Sequence, residues 1–434
     1  AMRWYGKTIN MGEFGVKTHD AWKTQYGATH YHIQRTPDEQ LELFWWVAHT
    51  AWAMGVTKIQ NWCWSDDPDR VFPWGIAWNN PLRAKPAAKL YRNLRFLSEM
   101  IQPEYIPAET IFVMPDTWRL GAPESLSYTS LMNALDCLLA ANIPYDVVNE
   151  SSLLGWTGKT PRLIIAPLAF AMPGDVFLAL EQMAQNGSCV YISGDPGTTP
   201  GGTREAQRLE RLCGVAFTGA AQHRSGLPLP LVEPVSARKK DNPTRLTVYE
   251  NIIGKGRVLY VPEPWETFPG QELFITQPEL TSNPESNLYI SLPSWAGISS
   301  SAAIHAGTGV WRITEMKSNG GAWITVLPRS EFHTETFVEV VRPQGRLLWD
   351  FQDRIPEGVL LNSEGRALAV TGSRAFSMQN QLIIQGQSPW MVISLDRQAL
   401  TGSRILLAST ARGGKLWWKS QESAYSAALV EWKR

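Results

Sequence analysis

Four cysteines in 434 residues, Cys63, Cys137, Cys189 and Cys213, stand too far apart to form a CxxC pair or a zinc-ligand spacing. Their apolar surroundings suit buried free thiols, so they argue against a disulfide framework and leave the compartment open. Charge is also scarce: 18% of residues are Asp, Glu, Lys or Arg, and forty basic side chains balance forty acidic ones. The densest basic patch, Arg238-Lys239-Lys240, lies in a loop-like stretch, and nucleic acid is therefore not an expected partner. No apolar run approaches the roughly 20 residues that a membrane span requires, and the first residues do not read as a signal peptide. A soluble protein is expected, inside or outside the cytoplasm, and Ala1-Met2 reads like the start of a fragment.

What the chain has instead is core material and aromatics, with 44% apolar residues and 20 tryptophans. Tryptophan faces hold the apolar faces of sugar rings, although most tryptophans are core. At this length one hydrophobic core does not suffice, so two or three domains are expected. They are expected to combine α/β and β architecture: the end of a (β/α)8 barrel, a flavodoxin-like doubly wound domain, and a C-terminal β-sandwich.

Residues 1–102 read strand, loop, helix, strand, loop, helix. Lys7 to Met11 form the first strand, and Thr36-Pro37-Asp38-Glu39 makes a capping box with Pro at the first helical position. Leu41, Trp45, Ala48 and Trp52 then trace one apolar face as far as Gly55. Thr57 to Trp64 is the second strand, and Pro86 to Met100 the last helix, with Leu90, Leu94 and Leu97 inward. Two βα units cannot close a parallel barrel, so the remainder of the barrel is an expected partner, as upstream sequence or as a separate chain.

Residues 103–265 alternate strand and helix: Thr110 to Met114, Leu126 to Ala141, Tyr145 to Val148, Leu163 to Ala166, Asp175 to Gln185, Cys189 to Ser193 and Arg257 to Val261. That alternation implies a doubly wound parallel sheet. Residues 266–434 carry short alternating strands, among them Gly309 to Met316 and Ala322 to Leu327 around the hairpin signal Ser318-Asn319-Gly320-Gly321.

The sharpest local pattern is Asn10-Met11-Gly12-Glu13-Phe14-Gly15, a carboxylate at the C-terminal end of a barrel-type strand, where barrel enzymes carry their catalytic groups. A glutamate closing the strand through an ion pair is the plain alternative. Further on come Gln60-Asn61-Trp62-Cys63-Trp64-Ser65-Asp66-Asp67, Phe72-Pro73-Trp74-Gly75-Ile76 and Lys85-Pro86-Ala87. Together these stretches resemble the end of the barrel in clan A retaining glycoside hydrolases, in which a glutamate ends the seventh strand and a tryptophan lies near the end of the eighth. The order of domains resembles the bacterial β-galactosidase family 42, whose middle domain mediates trimerisation.

The resemblance implies a retaining β-glycosidase that acts on a carbohydrate by double displacement, without a cofactor, with Glu13 as nucleophile and a homo-oligomer as a possible assembly. It implies substrate contacts from Trp62, Trp64, Trp74 and the loop residues His19, Trp22 and Tyr26. Trp62 and Trp64, two apart on a strand, would face one side. The acid/base of that clan follows an Asn upstream of the nucleophile, where this chain has only 12 residues, so it is expected outside the chain. Asn149-Glu150 spells the dipeptide but lies downstream, at a strand end of the middle segment. A non-catalytic carbohydrate-binding or assembly protein on a degenerate barrel is the alternative.

The remaining motifs are weaker. His30-Tyr31-His32 lacks a third ligand, and Asp66-Asp67-Pro68-Asp69 lacks the Gly and distal Glu of a calcium loop, so no metal is expected. Gly194-Asp195-Pro196-Gly197 does not fit a phosphate-binding pattern. Flavodoxin-like sheets also host amidotransferases, but the turn Pro167-Leu168-Ala169-Phe170 carries no cysteine, and the domain is expected to be structural.

Overall fold

A computed structural model describes residues 9–18, 35–67, 73–79, 81–88, 91, 101, 104, 107–141, 143–156, 158–242, 244–268, 285–299, 302–304, 310–318, 320–328, 336–342, 345–351, 356–363, 367–371, 376–378 and 392–394. They fall into two units: Pro107–Ser300 forms one, and Gly6–Ile106 joins Ser301–Arg434 in the other.

The discontinuous unit begins with β1 (Ile9–Phe14), α1 (Pro37–Ala53) and β2 (Val56–Asn61), and β1 pairs with β2 in parallel. Parallel pairing requires the intervening helical crossover that α1 supplies. That helix starts at a full capping box: Thr36 Oγ1 accepts from the Glu39 N–H at 3.2 Å, and the Glu39 carboxylate accepts from the Thr36 N–H at 2.6 Å. Of the expected final helix, residues 86–88 and 91 are helical, and Leu90, Leu94 and Leu97 lie outside the described residues.

The continuous unit holds a seven-stranded sheet. Its strands include β3 (Thr110–Met114), β4 (Tyr145–Asn149), β5 (Leu163–Ala166) and β6 (Cys189–Ser193). Between β3 and β4 runs α2 (Glu124–Ala140), and between β5 and β6 runs α3 (Gly174–Gln185). An antiparallel hairpin, β7 (Val215–Gln222) with β8 (Pro228–Pro234), stands outside the sheet. Next come β9 (Tyr249–Ile253), β10 (Gly256–Val261) and α4 (Ser286–Trp295).

The sheet order is Arg238–Lys239, β9, β10, β6, β5, β3, β4, parallel from β10 to β4 and antiparallel beyond. Counted along the five parallel strands, the order is 2-1-3-4-5, the flavodoxin arrangement. β5 and β6 are buried at every residue, as strands covered on both faces must be, while edge strand β4 alternates. One face carries Ile111, Ile164, Val190 and Tyr260 against Val176, Phe177 and Leu180 of α3. The other carries Phe112, Ile165, Tyr191 and Leu259 against Leu131 and Leu138 of α2 and Leu288 and Leu292 of α4. Helix α4 lies past residue 265, in the stretch expected to be β-sandwich. Its apolar face belongs to this sheet, and the unit runs on to Ser300.

The chain then returns to the first unit with nine antiparallel strands among the described residues. These are β11 (Ala302–Ile304), β12 (Val310–Ser318), β13 (Gly321–Pro328), β14 (Thr336–Arg342), β15 (Gly345–Phe351), β16 (Glu357–Leu361), β17 (Ala367–Thr371), β18 (Phe376–Met378) and β19 (Val392–Ser394). They make a five-stranded sheet, β12-β13-β16-β17-β19, and a four-stranded one, β11-β14-β15-β18. The β12–β13 hairpin closes with Ser318 paired to Gly321, and Gly320 takes the left-handed φ of +75° that the tight turn demands.

The five-stranded sheet receives the apolar stripe of α1. Leu41, Trp45, Ala48 and Trp52 cluster with Met316, Trp323 and Leu360. Trp323 lies across Gly358, where a Cβ would come within 2.2 Å of the indole. Trp45 Nε1 donates to the Pro356 carbonyl at 2.7 Å. His49, fully buried, bridges the two elements through Trp45 O at 2.9 Å and Thr371 Oγ1 at 2.8 Å, and burial depresses its pKa to about 4.

Candidate active site

Because β1 and β2 run parallel, Glu13 and Trp62 come to the same end of the pair. The strand reaches Phe14, three residues beyond the expected Met11, so Glu13 sits within it. Its register slips there: Met11 pairs with Ile59 and Phe14 with Asn61, which leaves one extra residue in β1 at Gly12-Glu13. A bulge of this kind re-aims a side chain, and bulges gather beside active sites. Glu13 is exposed, and among the described residues its carboxylate has no hydrogen-bond partner.

On the neighbouring strand β2 ends at Asn61, short of the expected Trp64, so alternation along a strand does not govern the two tryptophans. Both face solvent all the same, Trp62 at 48% and Trp64 at 70% exposure. Two large indole surfaces are thus left in water at the strand end that also carries Glu13. Trp62 N donates to Phe14 O at 2.8 Å, and the Trp62–Cys63 peptide is cis. Trp64 O accepts from Ile76 N and Ala77 N, both at 3.1 Å.

Trp74 departs from its expected role as a sugar contact. It is buried, and its ring backs Gly15, where an added Cβ would stand 2.2 Å from Trp62 O and 3.1 Å from the indole. Its burial leaves little of the ring open to a sugar. His19, Trp22, Tyr26, His30 and His32 lie outside the described residues.

Beneath these loops is a buried polar cluster that motif reading does not reveal. Lys85 is fully buried, and Nζ donates to Asp66 Oδ1 at 2.7 Å, Thr18 Oγ1 at 2.8 Å and Gly75 O at 2.8 Å. Asp66 Oδ1 also accepts from Gly75 N at 3.0 Å, so this aspartate, weighed above for calcium, is committed to a lysine. Burial pulls the Lys85 pKa down while Asp66 opposes it. Gln40 adds a tie from α1 through Nε2 to Val16 O and Gly75 O. The sequence signal was the lysine ahead of the helix-opening proline, which by itself does not announce burial.

The other unit gives its motifs local duties. Asn149 caps a short helix by accepting from Ser152 N at 2.7 Å, and Glu150 accepts from Thr117 N and Oγ1 at 3.0 and 2.6 Å. Burial raises the Glu150 pKa. It borders a small apolar pocket at the ends of β3 and β5 with room for about one water molecule. At the turn after β5, Leu168 adopts a φ of 53° and is buried, and the turn carries no cysteine. Asp195 accepts from Gly197 N, Thr198 Oγ1 and Arg204, which ties the glycine-rich loop to itself. Deeper in, Glu266 is fully buried and takes hydroxyl donors from Ser193, Tyr191 and Tyr289 on Oε1 at 2.8, 2.9 and 3.1 Å. Burial pushes its pKa up to about 7.

No described helix is long and apolar enough to cross a membrane, and no group of three or more His, Cys, Asp or Glu among the described residues could hold a metal ion. No protein-family model matches the chain, and no curated relative matches its sequence. Its fold is nevertheless similar to solved β-galactosidases. Gan42B of G. stearothermophilus, a GH42 β-galactosidase, aligns with a TM-score of 0.54 at 13% identity, covering 81% of this chain and 52% of its own. The β-galactosidase of Bacillus circulans sp. alkalophilus gives 0.55 at 12%, covering 84% and 56%. That of the haloarchaeon Halorubrum lacusprofundi gives 0.54 at 15%, covering 84% and 53%. The chain thus shares its multidomain fold with part of these enzymes and spans about half their length.

Proposed function

We propose that the chain belongs to a retaining β-glycosidase of the β-galactosidase kind and supplies its nucleophile, Glu13. The observation that carries this reading is the exposed carboxylate on the β1 bulge, unpaired among the described residues, at the same strand end as the exposed indoles of Trp62 and Trp64. In such a reaction the ionised carboxylate attacks the anomeric carbon as the glycosidic C–O bond breaks, and a second carboxyl group about 5 to 5.5 Å away gives its proton to the leaving oxygen. Water then displaces Glu13 from the glycosyl ester, with the second group acting as base.

That second group would come from the remainder of the barrel. The Glu150 carboxylate is engaged instead by the N–H and hydroxyl of Thr117. Trp62 or Trp64 would form the floor under the sugar. The domain order follows as proposed above: the closing βα units of a barrel, a flavodoxin-like domain without catalytic duty, and a β-sandwich.

The test is intact mass spectrometry of the full-length protein after reaction with 2-fluoro glycosides. A single glycosyl adduct that maps to Glu13 is expected, and Glu13→Gln should abolish both adduct and turnover. Sugar binding without any adduct, with Glu13→Gln indistinguishable from wild type, would favour a carbohydrate-binding protein on a degenerate barrel.

A further inference from the structure

We infer that Lys85 is a positioning residue for the proposed reaction: its buried ammonium ties the loop after the Glu13 strand to the loop that carries Trp62 and Trp64, and so fixes the carboxylate against the sugar platform. The inference rests on the reading of Glu13 as nucleophile.

No hydrogen bond among the described residues holds the Glu13 side chain, so its position is set through its backbone. Upstream, β1 is paired to β2. Downstream, Phe14 O meets Trp62 N at 2.8 Å, Thr18 N reaches Pro73 O at 3.1 Å, and Thr18 Oγ1 donates to the same carbonyl at 3.3 Å. Lys85 closes this arrangement. An ammonium has three N–H donors, and each finds one acceptor here: Thr18 in the first loop, Asp66 just past Trp64, and Gly75 in the strand-like return. Its own N–H donates to Ile76 O at 2.9 Å, so the backbone of the same residue secures the segment that holds Trp64 O.

A buried charge is an expensive way to hold loops together, since an apolar pair of the same volume is often equally stabilising. What the ammonium supplies is direction. Three short contacts in fixed geometry allow the two loops one relative placement, whereas an apolar plug allows them to slide. The reaction needs that placement, because a misplacement of about 1 Å in a reacting group costs on the order of 10²-fold in rate.

The experiment uses the full-length protein and four variants: Lys85→Met, the double variant Lys85→Met/Asp66→Leu, Thr18→Val and Thr18→Ser. Steady-state kcat and KM on an aryl glycoside, the rate of Glu13 labelling by a 2-fluoro glycoside, and thermal midpoints are measured for each. Lys85→Met should lower kcat and labelling by about 10²-fold with KM changed by less than about threefold. The double variant, with no unpaired charge left inside, should melt above Lys85→Met while kcat stays low. Thr18→Val should lower kcat by about five- to tenfold, and Thr18→Ser, which keeps the hydroxyl, should restore it. Recovery of kcat together with stability in the double variant would reduce Lys85 to a structural role and overturn the inference. So would wild-type kcat in Thr18→Val, which also decides the matter if Lys85 variants do not fold. Glu13→Gln distinguishes the two levels: turnover by that variant sinks the nucleophile assignment itself, whereas its inactivity alongside unchanged Lys85 and Thr18 variants sinks only the positioning role.

Discussion

Lowering the pH should loosen the discontinuous unit through one side chain, His49. The carbonyl of Trp45 can only accept, so Nδ1 carries the proton and donates at 2.9 Å, and Nε2 accepts from the Thr371 hydroxyl at 2.8 Å. The neutral ring is therefore fully satisfied, between α1 and the five-stranded sheet. Burial depresses the folded pKa to about 4 from an ordinary 6.5. In the unfolded chain the imidazole takes up its proton as pH falls through 6.5, and in the folded chain it does not until about 4, so stability falls with pH across that window. At about 1.4 kcal/mol per pH unit, the gap is worth about 3 kcal/mol, fully present above pH 6.5 and gone below pH 4. Urea denaturation at half-unit intervals from pH 4 to 7, read by hydrogen exchange in peptides from α1 and β13, measures it directly. His49→Gln removes the titration, and although it lowers stability at pH 7 it should flatten the pH slope of this unit. Equal slopes in wild type and variant would refute the assignment of the proton linkage to His49.

The continuous unit should behave in the opposite sense. Glu266 has a pKa raised to about 7 from 4.5, so its contribution is full below pH 4.5 and lost as pH rises through 7, again about 3 kcal/mol. Glu266→Gln should abolish that slope in exchange from β6 and α4, and a slope that persists would assign it to another group. In the β domain, Gly358→Ala puts a methyl group 2.2 Å from the fully buried Trp323 ring, and a loss of about 1–3 kcal/mol is expected by calorimetry. An unchanged melting temperature would mean that the indole can shift.

Much of the local structure is legible in the sequence because its causes are local. The capping box at Thr36 and Glu39, the apolar stripe of α1, and the largely apolar strands β5 and β6 each announce themselves within a dozen residues. Glu13 stands out for the same reason, as a carboxylate between glycines at a strand end. What could not be read depends on distant partners. The bulge that aims Glu13 arises from register against β2, a relation between two strands rather than a property of either. In sequence Trp74 resembles Trp62 and Trp64, and its burial follows from the packing of its loop, close against Gly15. Lys85 belongs to a residue type that is almost never interior, and its burial follows from acceptors at positions 18, 66 and 75 that converge after folding. Helix α4 covers the parallel sheet that precedes it, and its own ten residues do not say which sheet that is.

The discontinuous unit has a consequence for how the chain is made. The stripe of Leu41, Trp45 and Trp52 finds its cover in Trp323 and Leu360, and the whole of Pro107–Ser300 is translated in between. At roughly 5–20 residues per second, the ribosome takes on the order of 15–60 s to deliver that cover. Until then a tryptophan-rich surface trails behind the elongating chain while the intervening unit, whose strands are all contiguous in sequence, is free to fold first. Yield during expression should therefore depend on what shields that surface in the interval, a folding helper or the rest of the barrel, more than on the stability of the finished protein.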